Sequence, residues 1–245
     1  MGNAMRYSHA LMLDISRIKA ITLDLDDTLW PIEPTIERAE AALQEWLAQH
    51  APMTAALYSS TEAITAIRRY VAQARPELRH NLSALRRESI RLALYRAGEN
   101  PLLANAAFEV FFAARQQVVL YDDAAACLRF LSERYPVVAL SNGNADVQRV
   151  GIGAYFSAAI SASEFGSKKP DPQIFFAAAG ATGFLPSQVL HVGDDQVQDI
   201  LGAMNAGLQA AWLNRSGAPW KHEQEPQVQV PNLTALCALL SASAD

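Results

Sequence analysis

The chain alternates between short apolar runs that stop at polar clusters and longer stretches with helical periodicity. Residues 18–25 (IKAITLDL) are rich in branched side chains and flanked by charge, the pattern of a strand. Residues 136–140 (PVVAL), 189–192 (VLHV) and 209–213 (QAAWL) predict three more strands, and 228–230 a short fifth. These runs are apolar nearly throughout, so both faces must be covered, as in a parallel sheet between helices. Between them, residues 122–134 open on an Asp pair able to cap a helix and place Leu128 and Leu131 on one face. Asp171-Pro172 reads as a helix start, a capping carboxylate followed by proline where its missing N–H costs nothing. Residues 199–205 predict a small apolar helix ending near Gly207. Strand and helix in alternation predict a doubly wound, Rossmann-like α/β fold.

Residues 32–118 break that rhythm. They offer no convincing strand and predict helices at 36–49, 60–74, 78–97 and 102–115. The stretch is far longer than an ordinary loop, which makes it an inserted unit. The expected organisation is therefore a core of residues 1–31 and 119–245 interrupted by an all-helical cap of residues 32–118.

With 245 residues, 51% of them hydrophobic, the chain can bury a core without disulfides or a structural metal. Cys127 and Cys237 each sit alone in an apolar helical pattern and read as buried free thiols, which fits a reducing compartment. A net charge of −5 argues against a general nucleic-acid binder. No apolar run approaches the ~18 residues a membrane span needs. The N-terminus lacks a secretory pattern, and Arg6 stands where a myristoylation site would want Ser or Thr. The expectation is a cytoplasmic protein acting on a small molecule, with neither nucleic acid nor membrane as partner. Nothing in the sequence sets its oligomeric state.

The chemistry gathers where the strands end, the edge at which open α/β sheets bind ligands. The first strand runs into Asp24-Leu25-Asp26-Asp27-Thr28, the second into Ser141-Asn142-Gly143 and the third into Gly193-Asp194-Asp195, with Asp199 following; Lys168-Lys169 precedes a helix start. Extended-chain alternation puts Asp24 and Asp26 on one side. Carboxylates so close repel, and a divalent cation would hold one ionised and leave the other free for proton transfer. Asp194 would add a hard oxygen ligand suited to Mg²⁺. Carboxylates, cation, Lys169 and the Ser141 hydroxyl together describe phosphoryl transfer.

The four motifs DLDDTL, LSNG, KPDP and HVGDD-(x)₃-D, in this order, resemble those of the haloacid dehalogenase superfamily and span most of the chain. The resemblance implies that Asp24 attacks phosphorus to form an aspartyl-phosphate. Asp26 would protonate the leaving oxygen and later activate water, its backbone carbonyl joining Asp24 and Asp194 as Mg²⁺ ligands. Ser141 would hydrogen-bond a phosphoryl oxygen, with Thr28, Asn142 and Gly143 around the same group. Lys169, chosen over Lys168 because it directly precedes proline, would neutralise charge. Asp195 and Asp199 would support the loop or Lys169. Asp27 stands where many relatives have glycine.

The segments PTIERAEAALQEWL, RPELRHNLSALRRESIRLALYRAG and VLHVGDDQVQDILGAMNAGLQAAWLNR look like bacterial phosphatases of flavin metabolism. That resemblance implies flavin mononucleotide or the ribitylaminouracil phosphate of riboflavin synthesis as substrate. Between positions 60 and 98 stand eight arginines against three glutamates. They read either as solvated helix faces or, at Arg86 and Arg87, as groups that clamp the substrate. His191 reads as a core histidine; Trp30 lines the pocket mouth or anchors the entry to the cap. Competing readings are a promiscuous sugar- or nucleotide-phosphate phosphatase, a phosphomutase, a 2-haloacid dehalogenase, which needs neither a leaving-group acid nor Mg²⁺, and a non-catalytic binding protein.

Overall fold

The computed structural model describes residues 12–242. The N-terminal stretch read for targeting signals lies outside these residues. Six strands form one sheet: β1 (Ala20–Leu23), β2 (Val137–Ser141), β3 (Ala158–Ser161), β4 (Val189–Gly193), β5 (Gln209–Leu213) and β6 (Val228–Val230). Their order is β3-β2-β1-β4-β5-β6, and every pairing is parallel. The fold is thus the doubly wound α/β architecture that the strand runs predict.

Alternation within each strand feeds two separate cores. Ile21, Leu23, Val137, Ala139, Leu190 and Val192 face one side, where α6 (Ala124–Ser132) and α11 (Leu233–Ser241) pack. Ala20, Val138, Leu140, Val189 and Trp212 face the other, under α9 (Pro172–Thr182) and α10 (Gly202–Asn205). The shortest pieces, α7 (Val147–Val150) and α8 (Ala162–Phe165), follow β2 and β3.

Between β1 and β2 the chain runs through α1 (Ile32–His50), α2 (Pro52–Tyr58), α3 (Thr61–Ala74), α4 (Leu82–Arg96) and α5 (Ala104–Arg115). They hold their own apolar cluster around Leu43, Leu47, Ile90, Leu94, Phe108 and Phe111. The helix expected from residue 78 begins instead at Leu82, because the Asn81 side chain accepts from Ala84 N–H and caps it there. No helix among the described residues is long and apolar enough to cross a membrane.

Among the described residues β3, α2, α7 and α8 escape the sequence pattern, and α11 shows there only as the apolar helical pattern around Cys237. The helix expected at 199–205 divides into a π-helical turn, Gln196–Leu201, and α10. Cys127 and Cys237 are free, as expected, but Cys237 is only half-buried and the two are not isolated. They lie on the packed pair α6 and α11, where the neighbouring Cys237 and then burial hold the Cys127 thiol well above its ordinary range.

Candidate active site

β1 stops at Leu23, and Asp24 leaves the sheet with its N–H still bonded to Val192 O. Its buried carboxylate meets Lys169 Nζ through Oδ1, while Thr28 Oγ1 lies 3.4 Å from Oδ2. Lys169 enters from the segment before α9, and its Nζ also donates to Asp199 Oδ1 at 2.5 Å. Asn142 fixes that segment, accepting from Lys169 N–H at 2.8 Å and donating to Lys169 O at 3.0 Å and to Gln198 at 2.8 Å. The amide of Asn142 is thereby a brace for the lysine, occupied by protein partners.

Asp199 reaches this position from the π-helical turn, in which Asp195 O accepts from both Asp199 N–H and Ile200 N–H. Its Oδ2 accepts from Asp195 N–H at 3.0 Å, and its Oδ1 lies 3.2 Å from His191 Nε2. On the far side of the ring, Nδ1 is 2.9 Å from Thr22 Oγ1. Burial lowers the histidine pKa, so the ring is neutral; it donates from Nε2 to Asp199 and accepts at Nδ1 from Thr22.

The carboxylates differ sharply. Burial pushes the pKa of Asp24 well up, against the pull of Lys169, with Asp199 and Asp194 adding repulsion. Burial likewise takes Asp194 to about 7, helped by repulsion from Asp199 and Asp27. Burial would raise Asp199 too, but Lys169 and His191 outweigh it and hold that carboxyl low. For Lys169, burial pulls downward and the Asp199 and Asp24 charges beside it prevail, so the ammonium is held charged.

Asp26 faces elsewhere. Trp30 Nε1 donates to its Oδ1 at 2.8 Å, and Arg115 Nη2 donates to Oδ1 and Oδ2 at 2.6 and 2.8 Å. Trp30 is therefore an anchor for the acid as well as a fully buried packing residue. Gly143 leaves room for this carboxylate, since a Cβ there would collide with Asp26 Oδ2. Its N–H donates to Ser141 Oγ at 2.9 Å. Asp27 sits at φ 57°, the left-handed region that glycine adopts freely. Its Oδ1 accepts from Ile32 N–H at 2.9 Å and so anchors the start of α1.

Asp24, Asp26, Ser141, Asn142, Gly143, Lys169, Asp194, Asp195 and Asp199 all line one cavity of about 230 Å³. Thr28 lies beneath it, 3.4 Å from both Asp24 and Asp194. Asp24, Asp194 and Asp199 each offer an oxygen within 4.8 Å of the others. Asp26 turns its side-chain carboxylate to Arg115, away from the backbone carbonyl for which a ligand role is expected, and Asp199 stands near Asp24 and Asp194. Both Asp199 oxygens accept protein hydrogen bonds of 2.5–3.2 Å, whereas Asp24 Oδ2 and Asp194 Oδ1 have only the long 3.4 Å contacts to Thr28 and so are the freer to coordinate. Three carboxylates against one ammonium fit a hard divalent cation such as Mg²⁺.

Arg86 and Arg87 do not line this cavity. Arg86 pairs with Glu40, which also binds Arg68 at 2.7 Å, and its guanidinium lies 4.0 Å above the Phe111 ring. Arg87 lies 4.3 Å above Phe108 and 4.0 Å from Glu109. Aromatic faces on α5 draw both guanidinium groups onto the helix. Arg86 does line a second cavity, of about 270 Å³, which shares Leu82 with the first.

The residue that sequence reasoning missed is Arg115. It continues the buried stripe Ala104, Ala107, Phe108 and Phe111 of α5, and a cation on that apolar stripe is the signal that marks it. Arg215 was missed as well; it pairs with Asp123 at 2.9 Å and donates to Thr28 O at 3.1 Å, steadying the first loop.

A haloacid dehalogenase-like hydrolase profile matches residues 18–207, most of the chain. The chain belongs to that family. This hydrolase is 31% identical to 5-amino-6-(5-phospho-D-ribitylamino)uracil phosphatase YigB of Escherichia coli, over 92% of this chain and 98% of the relative. It is 32% identical to a phosphoserine phosphatase of Thermus thermophilus, over 88% and 96%. Among solved structures, one titled as a 2-haloacid dehalogenase of Pseudomonas syringae superposes with TM-score 0.87 at 38% identity, covering 93% of this hydrolase and all of the other chain.

Proposed function

We propose that this hydrolase is a Mg²⁺-dependent phosphatase of small phosphorylated metabolites that works through an aspartyl-phosphate on Asp24. The observation that carries the reading is the division of labour between two carboxylates in one cavity. Asp24 is clamped by Lys169 beside Asp194, while Asp26 is held on the opposite wall by Trp30 and Arg115. An Asp24 oxygen attacks phosphorus while the bond to the leaving oxygen breaks. Lys169 offsets charge on the nucleophile, and the Ser141 hydroxyl takes a phosphoryl oxygen. Asp26 gives its proton to the leaving oxygen and takes one back from the water that cleaves the acyl phosphate. A bound Mg²⁺, held by Asp24 and Asp194, supplies charge neutralisation for the phosphoryl group.

Residues 32–118 act in this reading as a cap over the cavity. The Escherichia coli relative supports the ribitylaminouracil phosphate as substrate, flavin mononucleotide is proposed beside it on the sequence resemblance, and the arginine-lined second cavity beyond Leu82 can take a flat ring against Arg86. The P. syringae structure favours a second reading, halide displacement by Asp24. That chemistry has no use for a proton-delivering Asp26 or for the acidic cluster at Asp194.

The test is turnover of a phosphomonoester panel, led by flavin mononucleotide, with Mg²⁺ or with chelator, on wild type and Asp24→Asn. Hydrolysis that needs Mg²⁺ and vanishes in the Asn variant is expected, with an acid-trapped phosphoenzyme in wild type alone. Full activity in chelator would revive the dehalogenase reading.

A further inference from the structure

Arg115 is 1% exposed at the end of α5, and a buried guanidinium is costly unless its charge is met. Among the described residues Nη2 alone has partners, the two oxygens of Asp26, while Nε and Nη1 are buried without any. Of the three guanidinium nitrogens one is engaged, and what it engages is Asp26.

The grip has a definite geometry. Arg115 Nη2 spans both carboxylate oxygens, Trp30 Nε1 adds a bond to Oδ1, and Gly143 backs Oδ2 so closely that no side chain fits between. The carboxylate is thereby fixed in direction as well as position. The next residue, Gln116, donates to Asn144 O at 3.3 Å and accepts from Asp146 N–H at 2.8 Å. One helix end therefore braces the loop after β1 and the loop after β2 together.

We propose that Arg115 is a positioning residue for proton transfer, holding the Asp26 carboxyl where it can reach the leaving oxygen. The proposal rests on the aspartyl-phosphate reading above. In the first step the Asp24 oxygen bonds to phosphorus, the bond from phosphorus to the leaving oxygen breaks, and that oxygen takes the Asp26 proton. In the second, water gives a proton to Asp26 as its oxygen bonds to phosphorus and the bond to Asp24 breaks. A misplaced Asp26 penalises the first step in proportion to the leaving group's need for a proton. A simple strut between α5 and the sheet would make no such distinction.

The experiment measures single-turnover release of the leaving group from an alkyl phosphate and from p-nitrophenyl phosphate, whose leaving group departs without a proton. Full-length wild type, Arg115→Met and Arg115→Lys are compared with saturating Mg²⁺. For Arg115→Met, release from the alkyl ester should fall about 100-fold and release from the nitrophenyl ester less than about 3-fold, with KM little changed. Arg115→Lys should restore part of the alkyl rate. Equal losses on both esters, or none on either, overturn the proposal. If Arg115→Met does not fold by circular dichroism, Arg115→Lys carries the test alone, and an equal loss on both esters in that variant overturns it. Wild type that hydrolyses neither ester overturns the phosphatase reading itself, and the proposal with it.

Discussion

Replacing Asp194 with asparagine should stabilise the metal-free protein while removing its response to Mg²⁺. Asp194 titrates near 7 in the fold, where burial and the charges of Asp199 and Asp27 resist its ionisation; in the unfolded chain an aspartate titrates near 3.9, about three units lower. Below about pH 4 the carboxyl is protonated in both states and costs nothing. Between about pH 4 and 7 the unfolded chain ionises first, so stability falls as pH rises, and above 7 the loss is constant. At about 1.36 kcal/mol per unit the full penalty is about 4 kcal/mol. Asparagine escapes it at every pH and can still accept the Thr28 hydrogen bond. In chelator at pH 8 the variant should gain about 2–4 kcal/mol, or roughly 5–15 °C in Tm for a chain this long. At pH 5 the gain should shrink to about 1.5 kcal/mol or less. Mg²⁺ should raise the Tm of wild type and leave the variant nearly unmoved, because a ligand stabilises only the state that binds it. Calorimetric melts at both pH values, with chelator and with Mg²⁺, decide the matter. A variant less stable than wild type at pH 8 in chelator, or a difference independent of pH, would refute the reasoning.

Three further substitutions probe the cavity and the helices beside it. Gly143→Ala drives a Cβ into Asp26 Oδ2 and should cut kcat about 100-fold with an unchanged far-ultraviolet spectrum; wild-type turnover would show that Asp26 need not hold its place. Arg86→Ala should lower kcat/KM for flavin mononucleotide roughly 10–200-fold while sparing p-nitrophenyl phosphate. Arg87→Ala, whose side chain lies against Phe108, should leave both within about twofold. Parallel losses on the two substrates for Arg86 would assign that residue to folding.

The parts of this molecule that were legible in advance are those with a local cause. Asp24, Ser141 and Asp194 follow buried branched runs, and the end of such a run fixes the sheet edge at which they appear. β3 was invisible because it is a four-residue edge strand, Ala-Ala-Ile-Ser, with too little apolar length to register. Asp199 was placed near Lys169 on resemblance, but its reach depends on a π-helical turn that no periodicity announces. The arginine count drew attention to Arg86 and Arg87, yet charge in sequence does not say which face of a helix it occupies. Arg115 lay outside the counted stretch and resembled an ordinary cation at a helix end, where it complements the dipole. Its partner Asp26 is 89 residues away, and only the tertiary fold connects them.

Thr22, His191, Asp199 and Lys169 form an unbroken polar row that leads from the two central strands, β1 and β4, out to the cavity. Each member hydrogen-bonds its neighbours in the row, and Asp199 and Lys169 are tied to Asp195 and Asp24 as well, so losing an inner member leaves a buried group one partner short. A single change along the row therefore carries a cost that a second change at a neighbouring member can offset. The four positions are coupled, and Asp24 at the end of the row owes part of its surroundings to a hydroxyl on the first strand that it never touches.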